Sequence, residues 1–280
     1  MLNKCLFTKI DNSALIIFRI CFGFLIMLEA VSGIWTGWVY STLIEPDFTF
    51  NFIGFDFLQP LPGYWMYAYY GVMAVLGILI MLGYKYRWSM VSFSIMWTCV
   101  YLMQKTSYNN HYYLLMLLCI IMSFLPAHKN LSLDSRRHPE IKEIAMPRWV
   151  WLVLVLQMWI VYTYGAIAKL YPDWWDGTFP ALIMSTKKDY WLVGSFLQKH
   201  WIRYAIAYFG FFFDLLNVPL LLWKKTRIPA FILAIFFHLF NSFIFHIGIF
   251  PYLSLAFIIF LFPSEKVHAF FLKNRKEYYN

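Results

Sequence analysis

Lys169 closes the apolar run Val161-Tyr162-Thr163-Tyr164-Gly165-Ala166-Ile167-Ala168-Lys169-Leu170, and His111 opens another. Asp214 lies inside a third run, and His238 and Asn241 share a face of a fourth. Ionisable groups are expensive in hydrocarbon, so they face a cavity or one another. An unprotonated amine screened from water can act as a general base, and a neutral imidazole can accept a proton or donate a hydrogen bond. Lys169 and His111 are therefore the candidates for proton chemistry. Tyr162, seven residues before Lys169, projects from nearly the same helix face, and Gly165 and Ala166 let another helix approach. The plainer alternatives stay open. A lysine at a helix end snorkels to the interface, and a histidine in an interfacial turn meets lipid headgroups.

Asp214 sits in Phe209-Gly210-Phe211-Phe212-Phe213-Asp214-Leu215-Leu216-Asn217, too deep to reach water by snorkelling. It has to be neutral, paired or turned toward a polar interior. Asn217, three residues on, shares its face. The pair serves either a helix-to-helix hydrogen bond or a ligand contact. His238 and Asn241 repeat the i, i+3 spacing, and His246, Gly248 and Phe250-Pro251 then mark an irregular connection. His111, His238 and His246 lack any short metal-ligand motif, so no catalytic metal is expected. Cys5, Cys21, Cys99 and Cys119 are scattered without CxxC spacing and read as small apolar residues. Arg19 and Glu29 lie too far apart in the first span for a direct i, i+4 pair. Arg19 is expected to reach inward and Glu29 toward the outer side. Asn109 or Ser107 is positioned to cap the helix that His111 opens.

The elements that must hold these groups are membrane helices. Of 280 residues, 61% are hydrophobic and 13% charged, against about 25% charged in soluble domains. The mean hydropathy is +0.60. Eight apolar segments stand out, at about 13–32, 64–84, 87–104, 110–125, 149–169, 202–222, 228–245 and 248–263. The fold class read from them is an all-α polytopic membrane helix bundle of about eight transmembrane helices over residues 1–263. Residues 264–280 follow as a short basic cytoplasmic tail.

The net charge of +9 does not point to nucleic acid, because Lys and Arg fall in short loops between the apolar runs. Sixteen basic residues fall on the side of both termini and six on the other, with Arg19 inside the first run. The positive-inside rule then makes both termini cytoplasmic in a multi-pass protein of the cell inner membrane, with membrane lipids as its surroundings. Lys105, His111 and Lys169 fall at the outer ends of their helices. The long outer loops 33–63 and 170–201 are rich in Trp, Tyr, Phe and Pro. They form either an interfacial aromatic belt or a roof over a cavity. No Walker loop, Rossmann glycine set, HExxH or GxSxG is present.

Asn109-Asn110-His111-Tyr112-Tyr113-Leu114, Gly165-Ala166-Ile167-Ala168-Lys169-Leu170 and His238-Leu239-Phe240-Asn241-Ser242 resemble motifs of the vitamin K-dependent gamma-carboxylase family. So do Phe245, Ile247-Gly248 and Phe250-Pro251-Tyr252, in family order over roughly residues 100–255. The chain is similar, more widely, to bacterial HTTM-domain membrane proteins. The resemblance implies two coupled reactions. A reduced vitamin K, or a menaquinol-like isoprenoid quinol, is oxygenated to its epoxide by oxygen. Carbon dioxide then adds to the gamma carbon of a glutamate.

By this resemblance Lys169 is the base toward the quinol, and His111 handles protons during carboxylation. Asp214, His238, Asn241, Tyr162 and Asn110 line or support the pocket, and Lys169, His111 and Asp214 are expected to approach one outer cavity. The quinol enters as a cosubstrate, with a glutamate-containing peptide or small molecule as second substrate, and no tightly bound organic cofactor is expected. Family carboxylases continue into a large extracytoplasmic region, whereas residues 264–280 form only the basic tail. Peptide carboxylation is thus a weaker expectation than quinol chemistry. Two readings from other classes remain: a non-enzymatic lipid- or peptide-binding partner protein, and a small-molecule transporter.

Overall fold

The computed structural model describes residues 2–272, and it is built almost entirely from helices. In chain order these are α1 (Leu2–Phe7), α2 (Ser13–Trp35), α3 (Trp65–Leu82), α4 (Tyr86–Met103), α5 (Asn110–Phe124) and α6 (Leu133–Arg137). They continue as α7 (Arg148–Ile167), α8 (Pro172–Trp175), α9 (Thr178–Ser185), α10 (Gly194–Leu197), α11 (His200–Leu222), α12 (Arg227–Phe245), α13 (Phe250–Phe257) and α14 (Ser264–Leu272). Two short strands, β1 (Lys9–Asp11) and β2 (Ala145–Pro147), pair antiparallel with Ile10 opposite Met146.

Each apolar segment read from the sequence is a helix, but the count of eight spans is not met. Among the described residues five helices are long and apolar enough to cross a membrane: α2, α3, α7, α11 and α12. A sixth is reached if the bent pair Phe250–Leu261 and Ser264–Phe271 is one span. The reason is physical. α5 has 15 residues, a rise of about 22 Å against a hydrocarbon core of about 30 Å. α4 carries Arg87, Ser89, Ser92 and Ser94, which lower its hydropathy. The five long apolar helices make this a multi-pass membrane protein.

The described chain clusters into two compact units. The first takes the chain up to Val150, Gly248–Ala256 and the chain from Ser264. Its centre is the close approach of α2 and α3. A Cβ on Gly77 would lie 2.8 Å from the Met27 backbone nitrogen, and one on Gly23 would strike the backbone of Met81. Side chains larger than hydrogen are sterically barred from both positions. Arg19, fully buried on α2, donates to the carbonyls of Ala127 (2.9 Å), Asn130 (3.3 Å) and Leu131 (2.6 Å). The Asp134 carboxylate accepts from the N–H groups of Lys85 and Tyr86, which satisfies the free start of α4. The loop 126–137 is thus tied to α2 and to the α3–α4 turn.

The segment expected to be a basic tail starts instead as a docked helix. In α14 Val267 is buried and His268 Nδ1 lies 3.0 Å from Ser13 Oγ and 3.1 Å from Asp11 Oδ2. The tail's remaining basic residues, Lys273, Arg275 and Lys276, lie outside the described residues.

The second unit comprises Trp151–Ile247 and Phe257–Pro263. α11 packs on α12 and carries α8 and α9, formed from the aromatic loop after α7. Trp174 anchors that loop, its Nε1 donating to Ala207 O at 2.8 Å. Met184, Leu197, Ile202 and Ile244 form a buried cluster beneath it. Trp191 and Trp201 stay exposed, so the loop packs on α11 through some of its rings and leaves others outside.

Glu143 offers a pH test of the first unit. Its carboxylate bridges Lys9 and Lys129, each at 2.5 Å, and hydrogen bonds from Lys129 and then Lys9 hold it below the usual carboxylate range. A depressed folded pKa contributes stability above the unfolded value, about 4.3, and loses it as pH falls through the folded one. Glu143→Gln should lower thermal stability by about 0.5–1 kcal/mol at pH 7. The difference should close as pH falls below about 4. Unfolding curves of both proteins from neutral to acid pH check this; a constant gap would contradict it.

Candidate functional site

Lys169 follows the end of α7, where the chain turns into α8. Its amine points inward: Nζ donates to Gly165 O at 2.9 Å and pairs with Asp214 Oδ2. The Lys169 and Asp214 side chains keep 19% and 12% of their exposure. The snorkelling alternative therefore does not describe this lysine. Glycine makes the pairing possible, since a Cβ on Gly165 would come within 2.9 Å of Asp214 Oδ2. The indole of Trp174 lies 5.2 Å from Nζ, close enough for a cation–π contribution to the ammonium.

Below this pair on α7, the Tyr162 hydroxyl lies 2.7 Å from His238 Nε2. Both residues are buried. Phe213 of α11 packs against both rings, at 6.0 Å from Tyr162 and 5.9 Å from His238. The second unit thus brings together four of the residues singled out by sequence, as Lys169–Asp214 and Tyr162–His238. Asn241, half-buried, lies one turn beyond His238 on α12. Of the two alternatives for Asp214 the structure shows a contact to another element, its pairing with Lys169, whereas the Asn217 amide nitrogen beside it is buried without a partner among the described residues.

His111 and Asn110 belong to the first unit. Asn109 caps α5, its Oδ1 accepting from Tyr112 N–H at 2.8 Å. The cap sets His111 in the first turn, where its ring packs on Phe250 at 4.1 Å. Asn110 is exposed and accepts from the Tyr108 hydroxyl. Glu29, expected from the sequence to turn toward the outer cavity in a structural role, has partners the sequence did not name. Its carboxylate accepts from the Tyr112 hydroxyl and the Ile249 N–H. Gly248, at φ +61°, lies beside it, and a Cβ there would stand 3.4 Å from Glu29 Oε2. The signal was a lone carboxylate in the first span, whose partners lie far along the chain. Among the described residues no three His, Cys, Asp or Glu side chains form a group able to hold a metal ion.

The HTTM-domain family matches residues 7–265. The chain belongs to the HTTM-domain family. No solved structure matches it. HTTM membership and the long apolar helices agree on a polytopic membrane protein, with the Lys169–Asp214 pair between its α7 end and α11.

The ion pair can be tested by asymmetry. Removing one partner of a buried pair leaves the other charge uncompensated, at about 3–5 kcal/mol. Asp214→Leu should therefore be strongly destabilising, and adding Lys169→Met should recover most of the loss. Thermal unfolding of both variants in one detergent checks this. A single variant within about 0.5 kcal/mol of wild type would show that the pair is not desolvated.

Proposed function

We propose that this HTTM protein is a reduced-quinone-dependent oxygenase related to the vitamin K-dependent carboxylases. The observation that supports it is the inward-turned Lys169, held against Asp214 and the Gly165 carbonyl. An amine so enclosed is shielded from bulk water and fixed in direction by its two partners. By the family roles the Lys169 amine takes the proton of a quinol hydroxyl, and Asp214 holds and orients it. Oxygen adds to the resulting anion. One oxygen atom stays on the ring as the epoxide and the other leaves as water; the quinol supplies all four electrons, two as its hydroxyls become carbonyls and two at the ring carbons that form the epoxide. The isoprenoid tail remains among the apolar helices.

By the family roles, His111 serves a later proton transfer on a glutamate substrate, with carbon dioxide as the added group. Tyr162, His238 and Asn241 support the quinol side of the chemistry. The deciding assay supplies purified protein with a reduced naphthoquinone and oxygen, and measures epoxide. Lys169→Ala should abolish formation, whereas His111→Ala should retain more of it at equal yield and monodispersity. Wild-type turnover indistinguishable from Lys169→Ala would reject this reading. A stable crosslinked protein partner without turnover would favour the binding-protein reading instead. Labelled carbon dioxide entering a glutamate-containing substrate would reveal whether the second reaction is present.

The reading carries a topology. α4, α5 and the segment 250–261 complete eight crossings with the five long helices, and both termini lie in the cytoplasm of the inner membrane. The sixteen-to-six division of basic residues supports that orientation. A helix as short as α5 is accommodated by local thinning or by neighbouring protein. Reporter fusions at residues 136 and 187 should report inside and outside respectively; the same side for both would reject the eight-crossing arrangement.

A further inference from the structure

Glu29 is buried near the end of α2, in a helix whose other charged residue is Arg19. Its two hydrogen bonds reach the starts of two other helices. Tyr112, whose hydroxyl donates to it, stands in the first turn of α5. Ile249, whose N–H donates to it, immediately precedes α13. An N–H at that position has no acceptor inside its own helix, and a carboxylate suits it both as acceptor and as negative charge. Gly248, at φ +61°, turns the chain into α13 directly against the carboxylate, where a Cβ would stand 3.4 Å from Oε2.

The residues next to these two donors are His111 and Phe250, and their rings pack with centroids 4.1 Å apart. Among the described residues no hydrogen bond holds the His111 ring, so its direction is set by Phe250 and by the backbone of α5. The Tyr112 ring is fixed in turn by edge contacts to Trp38 and Trp97, at 5.8 and 5.2 Å, and Trp97 Nε1 donates to Tyr112 O at 3.2 Å. All of these groups belong to the first unit. We propose that Glu29 is a positioning residue for His111: it pins the first turn of α5 to the start of α13 and so fixes the imidazole against Phe250. The consequence for reaction rests on the reading of His111 as the group of the later proton transfer; the placement itself does not.

A carboxylate offers two acceptor oxygens to the two donors, whereas a glutamine of the same shape offers one and turns its N–H groups toward the other donor. Glu29→Gln therefore opens the clamp with little change in volume. Tyr112→Phe opens it from the other side and keeps the ring between Trp38 and Trp97. The experiment uses the full chain in lipid nanodiscs, with its histidines labelled for NMR and the His111 signal identified by its absence from His111→Ala. Stacking on Phe250 displaces the His111 ring signals through the ring current, so they report the placement directly. Both variants should move them toward the position of an unstacked imidazole. Tyr86→Phe, which removes a hydroxyl bond to Met122 O in the same unit, should leave them in place.

Unmoved His111 signals in both variants, or an equal displacement in Tyr86→Phe, overturn the proposal. Should Glu29→Gln fail to give monodisperse protein, Tyr112→Phe carries the same contrast. In turnover, a small misplacement of a proton-transfer group is costly, so Glu29→Gln should lower the entry of labelled carbon dioxide into a short glutamate-containing peptide by roughly ten- to a hundredfold. It should leave epoxide formation at the wild-type rate and add no further loss to His111→Ala. Equal loss of both products overturns the positioning role and leaves Glu29 as a folding residue. Failure of the parent reading looks different: wild type then incorporates no label, while the NMR contrast still decides whether Glu29 places His111.

Discussion

A charged side chain within a membrane helix bundle has to find its compensation inside the protein. In the second unit that constraint is met by Lys169 and Asp214, and the neighbouring sequence follows from it. Gly165 is small because the Asp214 carboxylate occupies the space a Cβ would take. The same residue offers its carbonyl to the amine. Trp174 supplies an aromatic wall and, through Ala207, fastens the loop after α7 onto α11. A buried amine at a helix end thus brings with it a glycine, a counter-ion and an aromatic segment. None of these is separable from the others without leaving a charge in an apolar setting.

The first unit meets the same constraint by two other means. Arg19 has backbone carbonyls as its hydrogen-bond acceptors, drawn from the loop after α5. That loop can present them because Leu131 adopts a left-handed backbone at φ +46°. Glu29 takes a tyrosine hydroxyl and a freed backbone N–H, the latter available because the chain is irregular between α12 and α13. The broken connection at residues 246–249 is therefore matched to a polar group, as irregular backbone at membrane depth requires.

Much of the helical layout was legible in the sequence because apolar length and helix signals are local properties. The Asn109 cap is an example: an asparagine three residues before the N–H it satisfies needs no knowledge of the fold. The need of Asp214 for a partner was legible too, from its depth in an apolar run. Which partner it finds was not, because Lys169 lies 45 residues away and the pairing depends on how α7 and α11 are set against each other. Tyr162 and His238, 76 residues apart, are the same case. Apolar length carries only part of the span count, five helices or six with the bent pair among the described residues. An apolar segment such as α5 can be helical and still be too short to cross unaided. The docking of α14 through His268, Ser13 and Asp11 could not be read from a basic composition that describes only its charge.

HTTM membership fixes a scaffold, and a scaffold does not by itself imply a reaction. The chemistry has to be argued from groups that the scaffold alone does not need. Arg19 is not such a group, since its hydrogen bonds tie helix to loop and explain its burial. Lys169 and Asp214 are different. Two apolar residues of similar volume would pack the same place without the desolvation of two ions, and such replacements are commonly neutral or stabilising. The Tyr162–His238 pair extends the polar seam further inward, and the partnerless amide of Asn217 is less explicable still as packing. Asp214 and Asn217 on α11, with the Tyr162–His238 pair packed beside them, form a polar seam that apolar packing alone does not require.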